Sequence, residues 1–218
     1  MSDASAASAP ETSNAHNTRI DVVLFDIGGV LANFAGLAML RQLAGIPSEL
    51  DAATRWLTSP WVRRFESGQC SDEEFAIGVI AELGLPFATP DEFLQRFVSW
   101  LSDPYDGAEQ MIRDTSEHAL VGCLSNTNAL QWRRIISHWP LTPLFEHRFL
   151  SFELGAVKPD REIYDLVTNR LPVPPDRVLF IDDNPLNVEG ALAAGLRAEQ
   201  ALGVAEARAV LARHALLG

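Results

Sequence analysis

Acidic, hydroxyl, amide and lysine side chains follow four short apolar runs of the chain. They are Asp26 after the first run, Ser125 and Asn126 after the second, Lys158 after the third, and Asp182 and Asp183 after the fourth. If these runs are neighbouring strands, three carboxylates are brought together, and such a group needs a cation or a proton to neutralise it. Oxygen-only ligands suit Mg²⁺, which also takes phosphate oxygens. A carboxylate held beside a metal-bound phosphate is a competent nucleophile, so the pattern predicts attack on a phosphate ester.

The other polar groups of these segments suit the binding of a phosphate. The Ser125 hydroxyl and the N–H groups near it donate hydrogen bonds, and Lys158 supplies a positive charge. Gly28 and Gly29 let the backbone turn close to a ligand. Each group also has a simpler explanation, since Ser125 or Asn126 suits a helix cap and Lys158 alone suits the surface. The joint order of the four segments favours function over these separate explanations.

Strands alternating with helices position these residues. The predicted strands are 20–25, 119–124, 148–151, 177–181 and, more weakly, 196–200, and the helical patterns between them are 107–117, 130–138, 161–170 and 187–194. Apolar runs without polar alternation are typical of parallel strands that are covered on both faces. The sequence therefore predicts a doubly wound α/β fold, in which ligands bind beyond the carboxyl ends of the strands.

A purely helical segment interrupts this alternation directly after the first strand. Its helical patterns are 37–43, 50–57, 61–65, 72–83 and 91–100, and Ser71 with Glu74 fits a capping box. We expect a helical cap over 33–101, inserted into a Rossmann-like core of 19–32 and 102–218. Residues 1–18 have the composition of a disordered tail and no apolar region typical of a secretory signal.

Composition limits the partners of the chain. The net charge is −12 over 218 residues, which argues against binding to nucleic acid or an anionic membrane but permits a small phosphorylated substrate. No apolar stretch reaches the length of a membrane span. The two cysteines, Cys70 and Cys123, are far apart in the sequence, and Cys123 lies in an apolar run. We interpret both as reduced thiols and therefore expect a cytoplasmic protein. The sequence indicates no oligomeric state.

The four segments resemble the four motifs of the haloacid dehalogenase-like hydrolase superfamily. They read Phe-Asp-Ile-Gly-Gly-Val-Leu, Leu-Ser-Asn-Thr-Asn, Gly-Ala-Val-Lys-Pro-Asp and Ile-Asp-Asp-Asn-Pro-Leu-Asn-Val-Glu-Gly-Ala. The helical insertion is similar to the small α-helical cap of that family. The resemblance implies that Asp26 is the nucleophile and that Ser125 and Asn126 bind the transferring phosphoryl group. It also implies that Lys158 stabilises the charge of that group and orients Asp26.

The same resemblance implies a Mg²⁺ site with one unusual neighbour. Asp26 and the Gly28 backbone carbonyl would ligate the metal, Asp183 would hold it directly or through water, and Asp182 would share that task. Most phosphatases of the family carry a second Asp, the general acid and base, at the position of Gly28. Loss of a general acid typically costs about 10²- to 10⁴-fold in rate. Three explanations would account for a glycine at position 28. The substrate has a good leaving group, water or a cap residue supplies the proton, or the protein has lost phosphatase turnover.

Several functions stay open at this point. The Asp-x-Gly first motif is similar to that of sugar-phosphate phosphatases, which favours a sugar phosphate as substrate. A metal-free 2-haloacid dehalogenase is the alternative enzyme, although no Arg lies between Asp26 and Leu40 to hold a halide. A non-catalytic binding protein with the same fold is the alternative outside enzymes. A two-component acceptor domain is disfavoured, because its acid pair should come early in the chain, whereas Asp182 and Asp183 come late. Candidate cap residues for substrate contact are Trp56, Trp61, Arg63, Arg64, Phe65 and Gln69.

Overall fold

The structure is a computed structural model that describes residues 19–134 and 136–217. Its strands are β1 (Val22–Phe25), β2 (Ala32–Phe34), β3 (Leu101–Pro104), β4 (Leu120–Ser125), β5 (His147–Leu150), β6 (Val178–Asp182) and β7 (Arg197–Gln200). Its helices are α1 (Gly36–Leu43), α2 (Glu49–Thr58), α3 (Pro60–Glu66), α4 (Asp72–Leu83), α5 (Pro90–Val98), α6 (Ala108–Ser116), α7 (Ala129–Arg134), α8 (Ser151–Leu154), α9 (Arg161–Thr168), α10 (Pro185–Ala193) and α11 (Gly203–Arg213). The expected tail, 1–18, lies outside the described residues.

Five parallel strands form the central sheet in the order β5-β4-β1-β6-β7. β1 lies in the middle, with Phe25 opposite Cys123 of β4 on one side and Ile181 of β6 on the other. This sheet confirms the predicted doubly wound α/β fold, and each of the five predicted apolar runs overlaps one strand. The carboxyl ends of β4, β1 and β6 consequently lie side by side at one edge of the sheet.

Alternate residues of the strands bury into two separate cores, as the two-residue period of a strand requires. One face places Val23 and Phe25 of β1 against α6 and α11, where Met111 and Val210 are buried. The other face places Leu24 and Phe180 against α9 and α10. Coverage on both faces explains why the strand sequences are apolar throughout.

The insertion between β2 and β3 is helical, as predicted, and packs around an aromatic core of its own. Its buried rings are Trp56, Phe65, Phe75, Phe93, Phe97 and Trp100. The ring centroids of Phe65 and Phe75 are 4.0 Å apart in a parallel stack. The capping box of α4 is also confirmed, because Glu74 N–H donates to Ser71 Oγ and the Glu74 carboxylate accepts from Ser71 N–H.

A two-stranded antiparallel ribbon, which the sequence did not predict, joins this insertion to the core. β2 pairs with β3 so that Ala32 lies opposite Pro104 and Phe34 opposite Leu101. Both strands are short and half exposed, so neither produces the apolar run by which a buried strand is recognised. The ribbon carries the chain out of the sheet and back again, directly above the end of β1.

Elsewhere the element boundaries differ from the predictions in three places. The described part of the helix predicted over 130–138 comprises α7, which ends at Arg134, and a 3₁₀ turn at Ile136–His138. α8 is a single turn and α11 follows the last strand, and neither was predicted. Asp160 stands at the N-terminal cap position of α9, but its side chain makes no capping hydrogen bond. Among the described residues, no helix has the length and apolar character needed to cross a membrane.

Candidate active site

The three central strands bring the predicted polar residues to one place. Asp26 directly follows β1, Ser125 ends β4 and Asp182 ends β6. Asp26 N–H donates to Ile181 O at 2.8 Å, which fixes the first carboxylate beside β6. Lys158 comes from the loop between α8 and α9, and its side chain extends back to the strand ends. The structure therefore gathers residues that are more than 150 positions apart along the chain.

Lys158 is the buried cation at the centre of this cluster. Its Nζ lies 3.0 Å from Asp26 Oδ1 and 2.6 Å from Asp182 Oδ2, and it donates to Leu124 O at 3.1 Å. Only 2% of the residue is exposed. Burial alone would lower the pKa of Lys158, but the carboxylates of Asp182 and Asp26 raise it above its ordinary value. The ammonium therefore keeps its charge and holds the nucleophile candidate in a fixed orientation.

The carboxylates of Asp26, Asp182 and Asp183 place oxygen atoms within 4.8 Å of one another. Burial raises the pKa of Asp26 to about 7, with Asp182 and Asp183 adding to the rise and Lys158 opposing it. Burial and the neighbouring Asp182 raise the pKa of Asp183 to about 6. Three acids against one ammonium leave an excess of negative charge in a small space. A divalent cation with a preference for oxygen ligands fits this donor set.

The two acids at the end of β6 have different surroundings. Asp182 is fully buried; its carboxylate accepts hydrogen bonds from Asn184 N at 2.8 Å and Asn187 Nδ2 at 3.0 Å, in addition to Lys158. Asp183 instead lines the open cavity above the site. Protein donors thus already surround the Asp182 carboxylate, whereas Asp183 presents its carboxylate toward the space that a ligand would enter.

Ser125 and Asn126 both line the cavity, although in different ways. The Ser125 hydroxyl is buried and makes only a long contact, 3.5 Å, with Asn126 O. The Asn126 side chain clamps the main chain of Lys158: its Nδ2 donates to Lys158 O at 3.0 Å and its Oδ1 accepts from Lys158 N at 2.8 Å. Neither residue caps α7, because Asn128 Oδ1 accepts from Gln131 N instead. Helix capping therefore does not explain Ser125 or Asn126.

The two glycines after Asp26 have unequal structural constraints. Gly29 has a positive φ of 77°, and a Cβ there would lie 2.3 Å from Asp183 Oδ2. At Gly28, a Cβ would meet only Phe34 Cβ at an ordinary 3.5 Å. The fold requires glycine at position 29, because any side chain there displaces Asp183. It makes no such demand at position 28.

A cavity of about 620 Å³ lies between this cluster and the helical insertion. Asp26, Ser125, Lys158 and Asp183 line one end of it, which we call the floor, together with the backbone of Gly28. Of the six insertion residues that the sequence suggested for substrate contact, Trp56 lines the cavity. The predicted cluster and part of the predicted insertion surface therefore enclose the same space.

The other suggested residues contact protein groups away from the floor. Phe65 belongs to the aromatic core of the insertion, and Arg63 forms an exposed ion pair with Asp160. The Arg64 guanidinium stacks 4.9 Å from the Trp61 ring and its Nη2 donates to the backbone oxygen of Gln69. Helix α3 thus turns its arginines toward the core domain surface and solvent, and not toward Asp26.

Glu66, at the end of α3, lines the cavity although the sequence analysis did not select it. Burial raises the pKa of its carboxyl to about 7, while a hydrogen bond from the Trp56 indole opposes that rise. The charges of Lys158 and Asp26 also influence it, which places Glu66 within electrostatic range of the floor. One signal was available in the sequence, since Glu66 is the single acidic residue between Pro60 and Gln69.

The fold is a doubly wound sheet with a helical insertion, and the site is a buried lysine among three carboxylates. Together they define a hydrolase core with a candidate carboxylate nucleophile. A family model described as haloacid dehalogenase-like hydrolase matches residues 20–195. The chain belongs to this family, as the four motifs indicated.

Relatives and solved structures agree with this assignment. A Mycobacterium tuberculosis protein named as a phosphatase is 29% identical over 189 residues, which cover 82% of this chain and 86% of the relative. The D-ribitol-5-phosphate phosphatase of Bacteroides thetaiotaomicron is 25% identical, covering 76% and 84%. A family enzyme of the same organism, solved with magnesium and inorganic phosphate, is 24% identical with a TM-score of 0.67, covering 83% of this chain and 93% of that chain.

Proposed function

We propose that this protein is a Mg²⁺-dependent phosphatase that hydrolyses a phosphate monoester of a small metabolite. The observation that carries the proposal is the Asp26 carboxylate, held 3.0 Å from Lys158 Nζ on the floor of a cavity that Ser125 and Asp183 also line. In the proposed reaction an Asp26 oxygen attacks phosphorus and the bond to the leaving oxygen breaks. Water then attacks the phosphorus of the aspartyl-phosphate, which releases inorganic phosphate and restores Asp26.

Asp26, Asp183 and the Gly28 carbonyl would hold the metal. When bound, Mg²⁺ neutralises the crowded carboxylates and withdraws charge from the phosphate oxygens. Asp182 has a positioning role in this proposal, because it orients Lys158 through the 2.6 Å contact. The preference for Mg²⁺ follows from a donor set made only of oxygen atoms, and the magnesium in the B. thetaiotaomicron structure supports it by analogy.

Ser125, the Asn126 backbone and Lys158 would bind the phosphoryl group. The buried Ser125 hydroxyl has no strong protein partner, which leaves it free to donate to a phosphate oxygen. Asn126 contributes in a second way, because its side chain fixes the main chain of Lys158. Preorganised donors of this kind stabilise the transition state without reorganisation cost.

Glu66 would supply the proton that Gly28 cannot. A general acid works best when its pKa is near the working pH, and burial raises the pKa of Glu66 to about 7. Glu66 reaches the cavity from the end of α3 in the insertion, and the charges of Lys158 and Asp26 act on its carboxyl. In this proposal its carboxyl protonates the departing alkoxide, and its carboxylate then accepts a proton from the attacking water.

The insertion, proposed as a cap over 33–101, would provide the remaining substrate contacts. A sugar phosphate is the substrate class that the Asp-x-Gly motif favours, and the D-ribitol-5-phosphate phosphatase among the relatives is consistent with it. Because relatives at this level of identity differ in substrate, sugar phosphates are the first members of a screen and not its limit.

A metabolite screen with Mg²⁺ tests the proposal. Wild type should release phosphate from at least one monoester, EDTA should abolish the release and added Mg²⁺ should restore it. Asp26→Asn should be inactive, whereas Asp176→Asn, a matched change at an exposed position, should be fully active. Equal background release by wild type and Asp26→Asn would support the binding-protein alternative. Turnover of a 2-haloacid in EDTA would identify a dehalogenase and reject the phosphatase.

A further inference from the structure

Exposed large apolar side chains are concentrated at the mouth of the active-site cavity. Within the described part of the chain they are Leu50 (77% exposed), Ile77 (54%), Leu186 (52%), Leu192 (51%) and Leu202 (61%). Three of these, Leu50, Leu186 and Leu202, line the cavity. We call these three the leucine rim. Exposed leucines are common singly, but a group at the mouth of one cavity marks a binding surface.

The leucine rim is assembled from three separate elements. Leu50 lies in the first turn of α2 in the insertion, Leu186 in the first turn of α10, and Leu202 directly before α11. The side chains therefore surround the mouth from both the insertion and the core. Local helix patterning does not account for this arrangement, since two of the leucines lie in different helices and the third precedes a further helix.

The wall between the leucine rim and the floor is also largely apolar. It is lined by Phe34, Leu37, Ala53, Trp56 and Leu57. Two polar neighbours are already engaged: Thr54 Oγ1 donates to Leu50 O at 2.8 Å, and Gln131 Oε1 accepts from Asn128 Nδ2 at 2.9 Å. Asn33, Tyr105 and Thr127 also line the cavity, and the buried Thr127 hydroxyl has no hydrogen-bond partner among the described residues. Hydroxyl groups buried against the apolar side chains of the wall itself would lack such partners, which is unfavourable.

We propose that the substrate is an amphiphilic phosphate monoester whose apolar end contacts the leucine rim while its phosphate lies on the floor. The proposal rests on the phosphatase function proposed above. It replaces the sugar that the Asp-x-Gly motif favours with a leaving group whose far end is apolar. The polar floor accounts for the phosphate, and the apolar wall and rim account for several carbon atoms without hydroxyls at the far end. Glu66, which also lines the cavity, is the proton donor proposed above for the ester oxygen.

A different role for the leucine rim makes a different prediction. If Leu50 of the insertion packs on Leu186 and Leu202 when the cavity closes, a polar substitution at the rim should slow all substrates equally. If the rim binds the substrate, the substitution should slow only those esters that are long enough to reach it. Chain length is therefore the variable that separates the two roles.

The test uses n-alkyl phosphates from methyl to octyl, whose alkoxide leaving groups differ little beyond the shortest. With wild type we expect kcat/KM to rise with chain length by up to about fourfold per buried methylene. Leu50→Ser and Leu202→Ser should flatten that rise and leave methyl phosphate unchanged. Ile77→Ser and Leu192→Ser alter residues that are also more than half exposed but do not line the cavity, and both should retain the wild-type slope.

Two results would overturn the proposal. One is a wild-type slope of zero, and the other is a rim variant that loses the same factor at every chain length. If no ester is hydrolysed, the phosphatase function fails but the rim is still tested by calorimetry of n-alkyl phosphonates with Mg²⁺. Affinity that rises with chain length and falls in Leu50→Ser would then support an amphiphilic ligand, and affinity independent of chain length would reject it.

Discussion

Exchanging the proton donor between two positions is the sharpest test of the proposed chemistry. Glu66→Gln keeps the shape of the side chain and removes its proton. We expect kcat for an alkyl phosphate to fall by about 10²- to 10⁴-fold, the usual contribution of a general acid, which is about 3–5 kcal/mol of barrier. For p-nitrophenyl phosphate, whose leaving group needs no proton, the change should be below about threefold.

The structure allows the donor to be restored at position 28. A Cβ on Gly28 would lie 3.5 Å from Phe34 Cβ, which is an ordinary contact, and Gly28 is not among the glycines with positive φ. Gly28→Asp should therefore fold, and in the Glu66→Gln background it should recover most of the lost rate on the alkyl ester. Gly29→Asp is the contrasting change, because its Cβ would lie 2.3 Å from Asp183 Oδ2 and its positive φ costs about 1–2 kcal/mol.

Steady-state kinetics over pH 5–9 with both esters provides the measurement. In wild type the alkyl ester should lose kcat as Glu66 deprotonates above its pKa of about 7, and Glu66→Gln should lack that alkaline decline. The reasoning is refuted if Glu66→Gln slows both esters by the same factor. It is also refuted if the alkaline decline persists unchanged in Glu66→Gln, because the titrating group is then another residue.

Three further predictions concern stability and the separate roles of the charged residues. The pKa of Glu66 is raised from 4.5 to about 7 in the folded protein, so the folded state binds more protons than the unfolded state between these pH values. The free energy of unfolding should therefore fall as pH rises through this window. In urea unfolding, Glu66→Gln should lose about 1–3 kcal/mol less than wild type between pH 5 and pH 8. Asp182→Asn should lower the free energy of unfolding by about 2–4 kcal/mol, because it removes one of the two carboxylates paired with the buried Lys158. Asp183→Asn should leave stability intact and raise the Mg²⁺ concentration needed for half-maximal activity. Equal stability losses would contradict the different surroundings of the two acids. Lys158→Met should cost about 3–5 kcal/mol at pH 8 by leaving buried carboxylates unpaired. Calorimetric melting should show this deficit shrinking toward pH 5 as Asp26, whose pKa burial raises to about 7, takes up a proton.

The sheet and the floor of the site were predictable from the sequence because each depends on local patterns. Apolar runs located the five parallel strands, and the rule that ligands bind at strand ends then brought Asp26, Ser125 and Asp182 together. The β2–β3 ribbon escaped prediction, since its strands are short and half exposed. The order of the strands within the sheet likewise required the structure.

The insertion surface was predicted less well, because helix rotation depends on packing and not on the helix sequence. Arg63 and Phe65 were reasonable candidates for substrate contact, yet an ion pair with Asp160 and a stack on Phe75 orient them elsewhere. Burial of Val62 and Phe65 in the core of the insertion sets the rotation of α3. That rotation directs Glu66, the residue after Phe65, into the cavity. No periodicity in the sequence distinguishes an acid that faces a site from one that faces solvent.

The two sides of the cavity therefore differ in how they tolerate change. On the floor, strand pairing and the Lys158 contacts to Asp26 and Asp182 fix each polar group, so substitutions there alter stability together with chemistry. On the opposite side, the leucine rim is exposed and belongs to three separate helical elements, so its members can change with little effect on packing. Exposed surface substitutions usually shift stability by less than about 0.5 kcal/mol. Substrate preference in this protein should accordingly respond to substitutions at the rim, while the reaction itself remains tied to the strand ends.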